Sequence, residues 1–288
     1  MSAPSSSGAI STINGSVVAL RFHKVASSTF KAALLSSIQP SYMEHDTLPT
    51  YKDQGLLGLR CLGAPSANRV LFIALFREPA SRLLSALHFY EGLLRGPAQY
   101  AYAEIRSDLQ FAHKWIRETP CAEYTVSDVN RSLTALSLVS QRQLSGHAGT
   151  RMDEYAHYLR VQRRADVRPA LEVLRRDFLV GVTEDMESLL GNLVKVVPAG
   201  PARAGLESRM RALLNTRYLD NKGHSSYCSV SQVQPSVLHG IRKLVEHDVD
   251  IYHGARAIAA EQAAADFAIP WAKFAARDCK YRRSTAQR

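Results

Sequence analysis

Apolar residues are concentrated in three short runs, and each run leads into a stretch with helical periodicity. The apolar runs cover residues 16–22, 69–76 and 178–183. The helical stretches that follow them cover residues 27–37, 79–94 and 184–194. Runs that are almost continuously apolar are typical of strands covered on both faces. The alternation of strand and helix therefore predicts an α/β fold with a parallel sheet flanked by helices.

The rest of the chain has a mainly helical pattern. Between the second and third apolar runs, helices are predicted at residues 100–117, 130–144 and 153–176, and further helices follow at 202–215 and 235–263. Insertions of this kind often build the acceptor side of a pocket. With no obvious linker, we predict one domain over residues 16–275, between a polar tail at 1–15 and a basic tail at 276–288.

The junction after the first strand has the features of an anion site. Residues 17–30 read VVALRFHKVASSTF, so Lys24 and the hydroxyls of Ser27, Ser28 and Thr29 come just before or within the first turn of the predicted helix. A helix N-terminus offers free N–H groups and a positive dipole end to an anion. The glycines of the G-x-x-x-x-G-K-[ST] loop are absent, which disfavours ATP as the nucleotide. In isolation, the segment also fits a polar turn capped by Ser27.

The junction after the second strand offers another anion site. Arg77 follows the strand, and Ser81, Ser85 and His88 lie at i, i+4 and i+7 of the next helix, which predicts a polar helix face. Ligands of parallel sheets bind at the carboxyl ends of the strands. Two anion sites at the ends of neighbouring strands indicate a nucleotide with phosphates at both ends, such as 3'-phosphoadenosine 5'-phosphosulfate.

Composition narrows the classes of partner. Hydrophobic residues make up 46% of the chain and charged residues 22%, which is typical of a folded globular protein. The net charge of +10 favours an anionic partner. Nucleic acid is disfavoured because the basic residues are scattered and no aromatic residues interleave with them. A phosphorylated small molecule or an acidic polymer fits as well. No membrane span or secretory signal is predicted.

Four cysteines, Cys61, Cys121, Cys228 and Cys279, have no metal-binding spacing. Zinc is therefore not expected, and the sequence leaves disulfide pairing open.

Four stretches resemble one enzyme family, in the same order along residues 17–255. The segment HKVASST at 23–29 closely resembles the 5'-phosphosulfate loop HKTASST of galactosylceramide and galactose 3-O-sulfotransferases. The segment FREPASRLLSALHFYE at 76–91 resembles the 3'-phosphate motif of that family and of heparan sulfate and uronyl 2-O-sulfotransferases. FLVGVTE at 178–184 is similar to the third strand of the 2-O enzymes. Residues 221–252, with NKGHSS and EHDVDIY, resemble the closing loop and a helix with a D-x-x-[LIF]-Y pattern.

The resemblance implies a carbohydrate sulfotransferase that uses 3'-phosphoadenosine 5'-phosphosulfate and has a P-loop nucleotide-kinase-like fold. Lys24 then contacts the 5'-phosphosulfate and stabilises the leaving oxygen, where charge develops in the transition state. Arg77 and Ser85 bind the 3'-phosphate. The motif requires no metal. The remaining donor-binding residues of the first junction are His23, Ala26, Ser27, Ser28, Thr29 and Phe30.

The general base departs from the family pattern. Related enzymes carry a histidine in a segment like H-x-R-[FC], and the matching segment here begins with Gly58. His45, which lies between Glu44 and Asp46, is our first substitute. Other candidates for the base are His88, which is more often a packed or hydrogen-bonded helix residue, and the loop residues His147 and His224. An acidic acceptor needs no histidine base at all.

Several alternatives stay open at this point. The acceptor hydroxyl is expected on a carbohydrate or glycolipid, and the runner-up is a small-molecule metabolite. A phosphoryl-transfer kinase on the same fold would show magnesium-dependent nucleotide binding, and a binding protein that has lost its base would bind donor without turnover. The chain fits either a cytoplasmic enzyme or a Golgi-type catalytic domain without its anchor, and its sequence does not indicate an oligomeric state.

Overall fold

The computed structural model describes residues 16–20, 22, 41–44, 69–90, 103–143, 152–195, 201–215, 228–264 and 272–273. Five strands lie in these ranges. They are β1 (Ser16–Leu20), β2 (Ser41–Glu44), β3 (Arg69–Phe76), β4 (Phe178–Val182) and β5 (Ala272–Lys273).

The strands form one sheet in the order β2-β1-β3-β4, and all three neighbouring pairs along this path are parallel. Strand β5 pairs antiparallel with the start of β3. In the register of the sheet, Ala19 lies opposite Glu44, Leu20 opposite Ala74, and Phe76 opposite Val182. The carboxyl ends of β1 to β4 therefore lie along one edge of the sheet, which we call the carboxyl edge.

Nine α-helices are found in the described ranges. They are α1 (Pro79–Tyr90), α2 (Arg106–Glu118), α3 (Val126–Gln143), α4 (Glu154–Leu159), α5 (Arg164–Asp177), α6 (Met186–Val194), α7 (Pro201–Asn215), α8 (Pro235–Leu244) and α9 (Glu246–Ala264).

Two apolar clusters make up the described core. One lies between the sheet and helices α4, α5, α6 and α9, and the other joins α1, α2, α3 and α8. Helix α1 begins shortly after β3 and belongs to the second cluster, whose helices α1, α2, α3 and α8 we call the helical half of the protein. It therefore connects the sheet to this helical half. Proline at its first position suits a helix start, because its ring presets a helical φ and the missing N–H has no partner there anyway.

Helix α9 covers the outer side of β4, which ends the strand order. The Gln262 side chain accepts a hydrogen bond from the Val180 N–H and donates one to the Phe178 carbonyl, both at 2.9 Å. Gln262 is 3% exposed, so these bonds are shielded from water. One amide side chain thus takes the place of a further strand at this position.

A disulfide joins Cys121 to Cys228 over a sequence separation of 107. Cys121 begins a short 3-10 turn between α2 and α3, and Cys228 lies seven residues before α8. The pair that the sequence left open is therefore formed between two distant segments of the helical half.

The predicted α/β fold with a parallel sheet is confirmed, and the three predicted strands correspond to β1, β3 and β4. Strands β2 and β5 were not predicted. The helix predicted at 153–176 is two helices, because Arg160 adopts the left-handed conformation (φ 56°), which ends α4. The helix predicted at 235–263 breaks at Val245, which has a non-helical ψ of 43°. The helix predicted at 27–37 lies outside the described residues.

Candidate functional site

Aromatic side chains bring the ends of β1 and β3 together at the carboxyl edge. The ring of Phe22, two residues beyond β1, packs on that of Phe76, the last residue of β3, with centroids 5.0 Å apart. Both rings also contact Tyr155, with centroid distances of 4.6 Å and 5.1 Å. All three side chains are fully buried. The two junctions singled out in the sequence therefore begin next to each other.

Arg77 lies at this edge, directly after β3. Its Nε donates to the Ser81 hydroxyl at 3.0 Å, which fixes the plane of the guanidinium against the first turn of α1. Burial lowers the pKa of Arg77, and the carboxylates of Glu184 and Glu78 act in the opposite direction. A half-buried arginine beside a serine is a donor set suited to a phosphate.

The predicted polar face of α1 is largely buried. Ser85 is 9% exposed and His88 is 8% exposed, whereas Ser81 is half-buried. Ser81 is therefore the hydroxyl that contacts Arg77, and Ser85 lies one turn farther along the helix. His88 Nε2 accepts a hydrogen bond from the Cys228 N–H at 3.3 Å. This bond fits the interpretation of His88 as a hydrogen-bonded helix residue.

Glu78 caps the start of α1 and binds a second arginine. One carboxylate oxygen accepts from the Ser81 N–H at 2.7 Å, and the other accepts from Arg242 Nε at 2.9 Å. A negative charge at a helix N-terminus is favourable because of the helix dipole. The bond also joins the last turn of α8 to the carboxyl edge.

Glu184 lies just beyond β4 and binds across the edge. Its carboxylate accepts from the Glu78 N–H at 3.0 Å and forms a hydrogen bond with the Tyr252 hydroxyl. Burial, together with the charge of Glu184, raises the pKa of Tyr252 to about 12. The next residue, Asp185, caps the following helix by accepting from the Ser188 N–H, whereas Glu184 joins β4 to the start of α1.

A buried ion cluster lies beneath the edge. Arg82 donates to Glu154 at 2.7 Å and to Asp248 at 3.3 Å, and all three side chains are fully buried. Burial lowers the pKa of Arg82, but the two carboxylates outweigh this effect and the pKa is raised. Burial raises the pKa of Asp248 to about 7, against the opposing effect of Arg82 and two main-chain N–H groups.

Tyr155 connects this cluster to Arg77. Its hydroxyl accepts from the Arg77 N–H at 2.9 Å and donates to the Arg77 carbonyl at 2.8 Å. Its own N–H donates to Asp248 at 3.2 Å, and the Arg82 guanidinium lies 5.2 Å from the centre of its ring. Burial raises the pKa of the Tyr155 hydroxyl well above its ordinary value, so the hydroxyl stays protonated.

Of the donor-binding and catalytic residues predicted from the sequence, Arg77 and Ser85 are described, as are Ser81 and the alternative base His88, and the others lie outside the described residues. Those others are His23, Lys24, Ala26, Ser27, Ser28, Thr29, Phe30 and His45, and the same holds for Gly58, His147 and His224. Their roles stay predictions. Strand β2 was missed, although it ends at Glu44, the residue before His45. The end of β2 shares the carboxyl edge with the ends of β1 and β3.

Little in the sequence indicated the residues that support Arg77. Tyr155 lies 78 positions from Arg77, and Asp248 lies 166 positions from Arg82. Contacts this distant leave no periodic pattern. One signal was present, because Asp248 and Tyr252 are the Asp and Tyr of the D-x-x-[LIF]-Y pattern noted in the sequence. That pattern pointed to Asp248 and Tyr252 but did not show which residues they contact.

Within the described ranges, no group of three or more His, Cys, Asp or Glu side chains could hold a metal ion. A search of the same residues found no helix with the length and apolar character needed to cross a membrane. Comparison with protein-family models, curated proteins and solved structures found no match for this chain.

Proposed function

We propose that this protein is a sulfotransferase that moves the sulfuryl group of 3'-phosphoadenosine 5'-phosphosulfate to a hydroxyl of a carbohydrate or glycolipid. One observation carries the proposal. Phe22, which precedes the HKVASST segment, packs on Phe76, which precedes Arg77. Two segments with the chemistry of anion sites therefore start side by side at the carboxyl edge of a parallel sheet, where such folds bind ligands.

The donor set fits the two anionic ends of this nucleotide. Arg77 and Ser81 are already hydrogen-bonded to each other and suit the 3'-phosphate, with Ser85 one turn beyond. Lys24 and the hydroxyls of Ser27, Ser28 and Thr29 suit the 5'-phosphosulfate. The carboxylates of Glu184 and Glu78 interact with Arg77, and both are held in place by hydrogen bonds from main-chain N–H groups. The positive charge of Arg242 offsets the negative charge of Glu78. We further propose the P-loop nucleotide-kinase-like sulfotransferase fold for the whole sheet.

The proposed reaction is an in-line displacement at sulfur. The acceptor oxygen forms a bond to sulfur while the bond from sulfur to the 5'-phosphate oxygen breaks, and adenosine 3',5'-bisphosphate leaves. Lys24 stabilises the charge that develops on the leaving oxygen. A base takes the proton of the acceptor hydroxyl. His45, which follows the last residue of β2 in the sequence, is the proposed base.

Binding of the spent donor tests the proposal. We expect adenosine 3',5'-bisphosphate at 100 times its Kd to raise the thermal midpoint by about 5–10 °C, as mass action on the folded state requires. ATP with magnesium is the control. A shift with magnesium-ATP alone would indicate a kinase, and no shift with either nucleotide would contradict the proposal. Turnover is then measured with labelled donor on glycan, glycolipid and small-metabolite acceptors.

Two variants assign the ends of the nucleotide. Arg77→Ala is expected to raise the Kd of the bisphosphate about 10- to 100-fold, since charge-assisted hydrogen bonds are lost. Lys24→Ala is expected to lower turnover while donor binding is partly kept. The matched control is Arg175→Ala, which removes a surface arginine paired with Glu261. If both site variants kept full binding and activity, the assignment would be wrong.

A further inference from the structure

Arg77 owes its position to a side chain 78 residues away in the sequence. The last pairing of β3 is Phe76 with Val182, so the main-chain groups of Arg77 lie just beyond the sheet ladder. The single hydroxyl of Tyr155 bonds both of them, accepting from the N–H and donating to the carbonyl. The main chain of Arg77 is therefore held at the point where strand gives way to helix.

Tyr155 is itself held from three sides. Its ring packs edge-on against Phe22 and Phe76, and Arg82 lies over one face. Its main chain is fixed by Asp248, which accepts from the N–H groups of Tyr155 and Ala156 at 3.2 Å and 2.8 Å. These donors open helix α4, so the Asp248 carboxylate binds the start of that helix as an N-cap residue would.

The ion cluster ties this arrangement to α1, the helix that carries Ser81. Arg82, one residue after Ser81, donates to Asp248 from α9 and to Glu154 from α4. It also donates to the main-chain carbonyl of Met152. Movement of α1 relative to α4 would break a fully buried ion pair, which is strongly disfavoured. The positions of Arg77, Ser81 and Tyr155 are therefore mutually fixed.

We propose that Tyr155 is a positioning residue that sets the selectivity of this site for a 3'-phosphorylated nucleotide, acting through the main chain of Arg77. The inference rests on the proposed function and adds a residue that it does not contain. Tyr155 contacts both junctions, but in different ways. Its ring contacts Phe22 before the 5' segment, and its hydroxyl bonds Arg77 at the 3' site. Removal of the hydroxyl alone should therefore weaken recognition of the 3'-phosphate and spare the 5' end.

The test compares two nucleotides that differ only in the 3'-phosphate. Kd values for adenosine 3',5'-bisphosphate and adenosine 5'-phosphate are measured by calorimetry or by competition, and their ratio is the readout. Tyr155→Phe keeps the ring and is expected to reduce the selectivity for the bisphosphate about tenfold, the equivalent of one buried hydrogen bond. The Kd of adenosine 5'-phosphate should stay within about twofold, because the Phe22 packing is retained. A merely structural role would weaken both nucleotides equally.

Tyr124→Phe is the matched control. Tyr124 is also a buried tyrosine, 3% exposed, but it belongs to the other apolar cluster. Its loss of a hydroxyl should leave the selectivity ratio unchanged. If Tyr155→Phe is too unstable to purify, Asp248→Asn replaces it, since it retains the Tyr155 hydroxyl and loosens its anchorage. A smaller fall in the same ratio is then expected.

The outcomes separate this inference from the proposed function. If the wild-type protein does not bind the bisphosphate, the proposed function fails and the inference fails with it. If the wild type prefers the bisphosphate and Arg77→Ala removes that preference, the proposed function stands. An unchanged ratio in Tyr155→Phe, or equal weakening of both nucleotides, would then overturn the positioning role alone.

Discussion

At the scale of single residues, the main feature is a buried arginine that faces two carboxylates. Arg82 pairs with both Glu154 and Asp248, and all three side chains are shielded from water. Burial disfavours the charged form of a carboxyl group, so Asp248 holds a proton more readily than it would in water. The pKa of Asp248 is therefore raised, whereas the two carboxylates keep Arg82 charged.

The cluster predicts how stability depends on pH. Asp248 has a pKa of about 7 in the folded protein against an ordinary value of 3.8, so the folded state holds this proton more tightly. Its stabilising contribution is complete below pH 4 and is lost as pH rises to 7, by up to ~1.4 kcal/mol per pH unit. Urea unfolding of the wild type and Asp248→Asn between pH 4.5 and 7.5 measures this contribution. The wild-type free energy of unfolding should fall more steeply with pH than that of the variant.

Asp250→Asn serves as the control for this measurement. Asp250 lies on the same helix and pairs with the exposed Arg164, so its removal should leave the wild-type pH dependence nearly intact. If Asp248→Asn and the wild type showed parallel curves, Asp248 would not titrate in this range. A wild-type curve that rose relative to the variant would mean that the ion pair with Arg82 lowers the pKa of Asp248.

At the scale of elements, helix α9 binds three other parts of the fold with side chains about one to three turns apart. Asp248 binds the start of α4, Tyr252 binds Glu184 beyond β4, and Gln262 binds the outer side of β4. Residues of α9 also lie in the apolar core against the sheet. Helix α9 therefore fixes β4, the last strand in the sheet order, and the segment around Glu184 that reaches the carboxyl edge.

Replacement of Gln262 tests the role of α9 at β4. Gln262→Leu keeps a similar volume but leaves the Val180 N–H and the Phe178 carbonyl buried without their partner. We expect a loss of about 2–4 kcal/mol in the free energy of unfolding, since each unsatisfied group costs roughly 1–3 kcal/mol. Glu261→Ala, at the neighbouring exposed position, should cost under ~1 kcal/mol because it breaks only a surface ion pair. If both variants lowered the free energy of unfolding equally in denaturant titrations, the hydrogen bonds of Gln262 to β4 would not have the importance assigned to them.

The sequence predicted the strands that are apolar along their length. It did not predict the strand that forms only because it pairs with another strand. Strands β3 and β4 are continuous apolar runs, so their covered faces were visible as pattern. Strand β2, with the sequence SYME, has no such run and is defined by its pairing with β1. The break at Arg160 was missed for a related reason. The left-handed conformation favours glycine or asparagine, and an arginine there gives no signal of a turn.

The candidate site divides in the same way. Arg77 was predicted because it follows a buried strand, a local feature of the sequence. The burial of Ser85 and Arg82 was not predicted, because a Ser-Arg-Ser pattern on a helix normally indicates a solvated face. Only the packing of α1 against other helices and the pairing of Arg82 with distant carboxylates make that face internal. Contacts between side chains that lie far apart in the sequence were therefore the part of the site that could not be predicted.

At the scale of the whole molecule, helix α1 and the Cys121–Cys228 disulfide bind the helical half together. Cys228 is 6% exposed and its N–H bonds His88 in the last turn of α1, while Cys121 precedes α3. The disulfide therefore fixes two segments against the far end of the helix that begins at the proposed nucleotide site.

The disulfide should contribute strongly to global stability because it closes a long loop. Its cysteines are 107 residues apart, and a cross-link of about this length is expected to stabilise the folded state by roughly 4–5 kcal/mol through the unfolded chain. Guanidinium unfolding with and without reductant measures this contribution, with the Cys121→Ser, Cys228→Ser double variant as the matched control. The wild type should lose stability on reduction, whereas the variant should be less stable from the start and insensitive to reductant at these positions.

A non-reduced digest should also contain a peptide that links Cys121 to Cys228. The disulfide would be ruled out by two results together. Protein folded under oxidising conditions would lack that peptide, and the wild type and the variant would have equal unfolding midpoints.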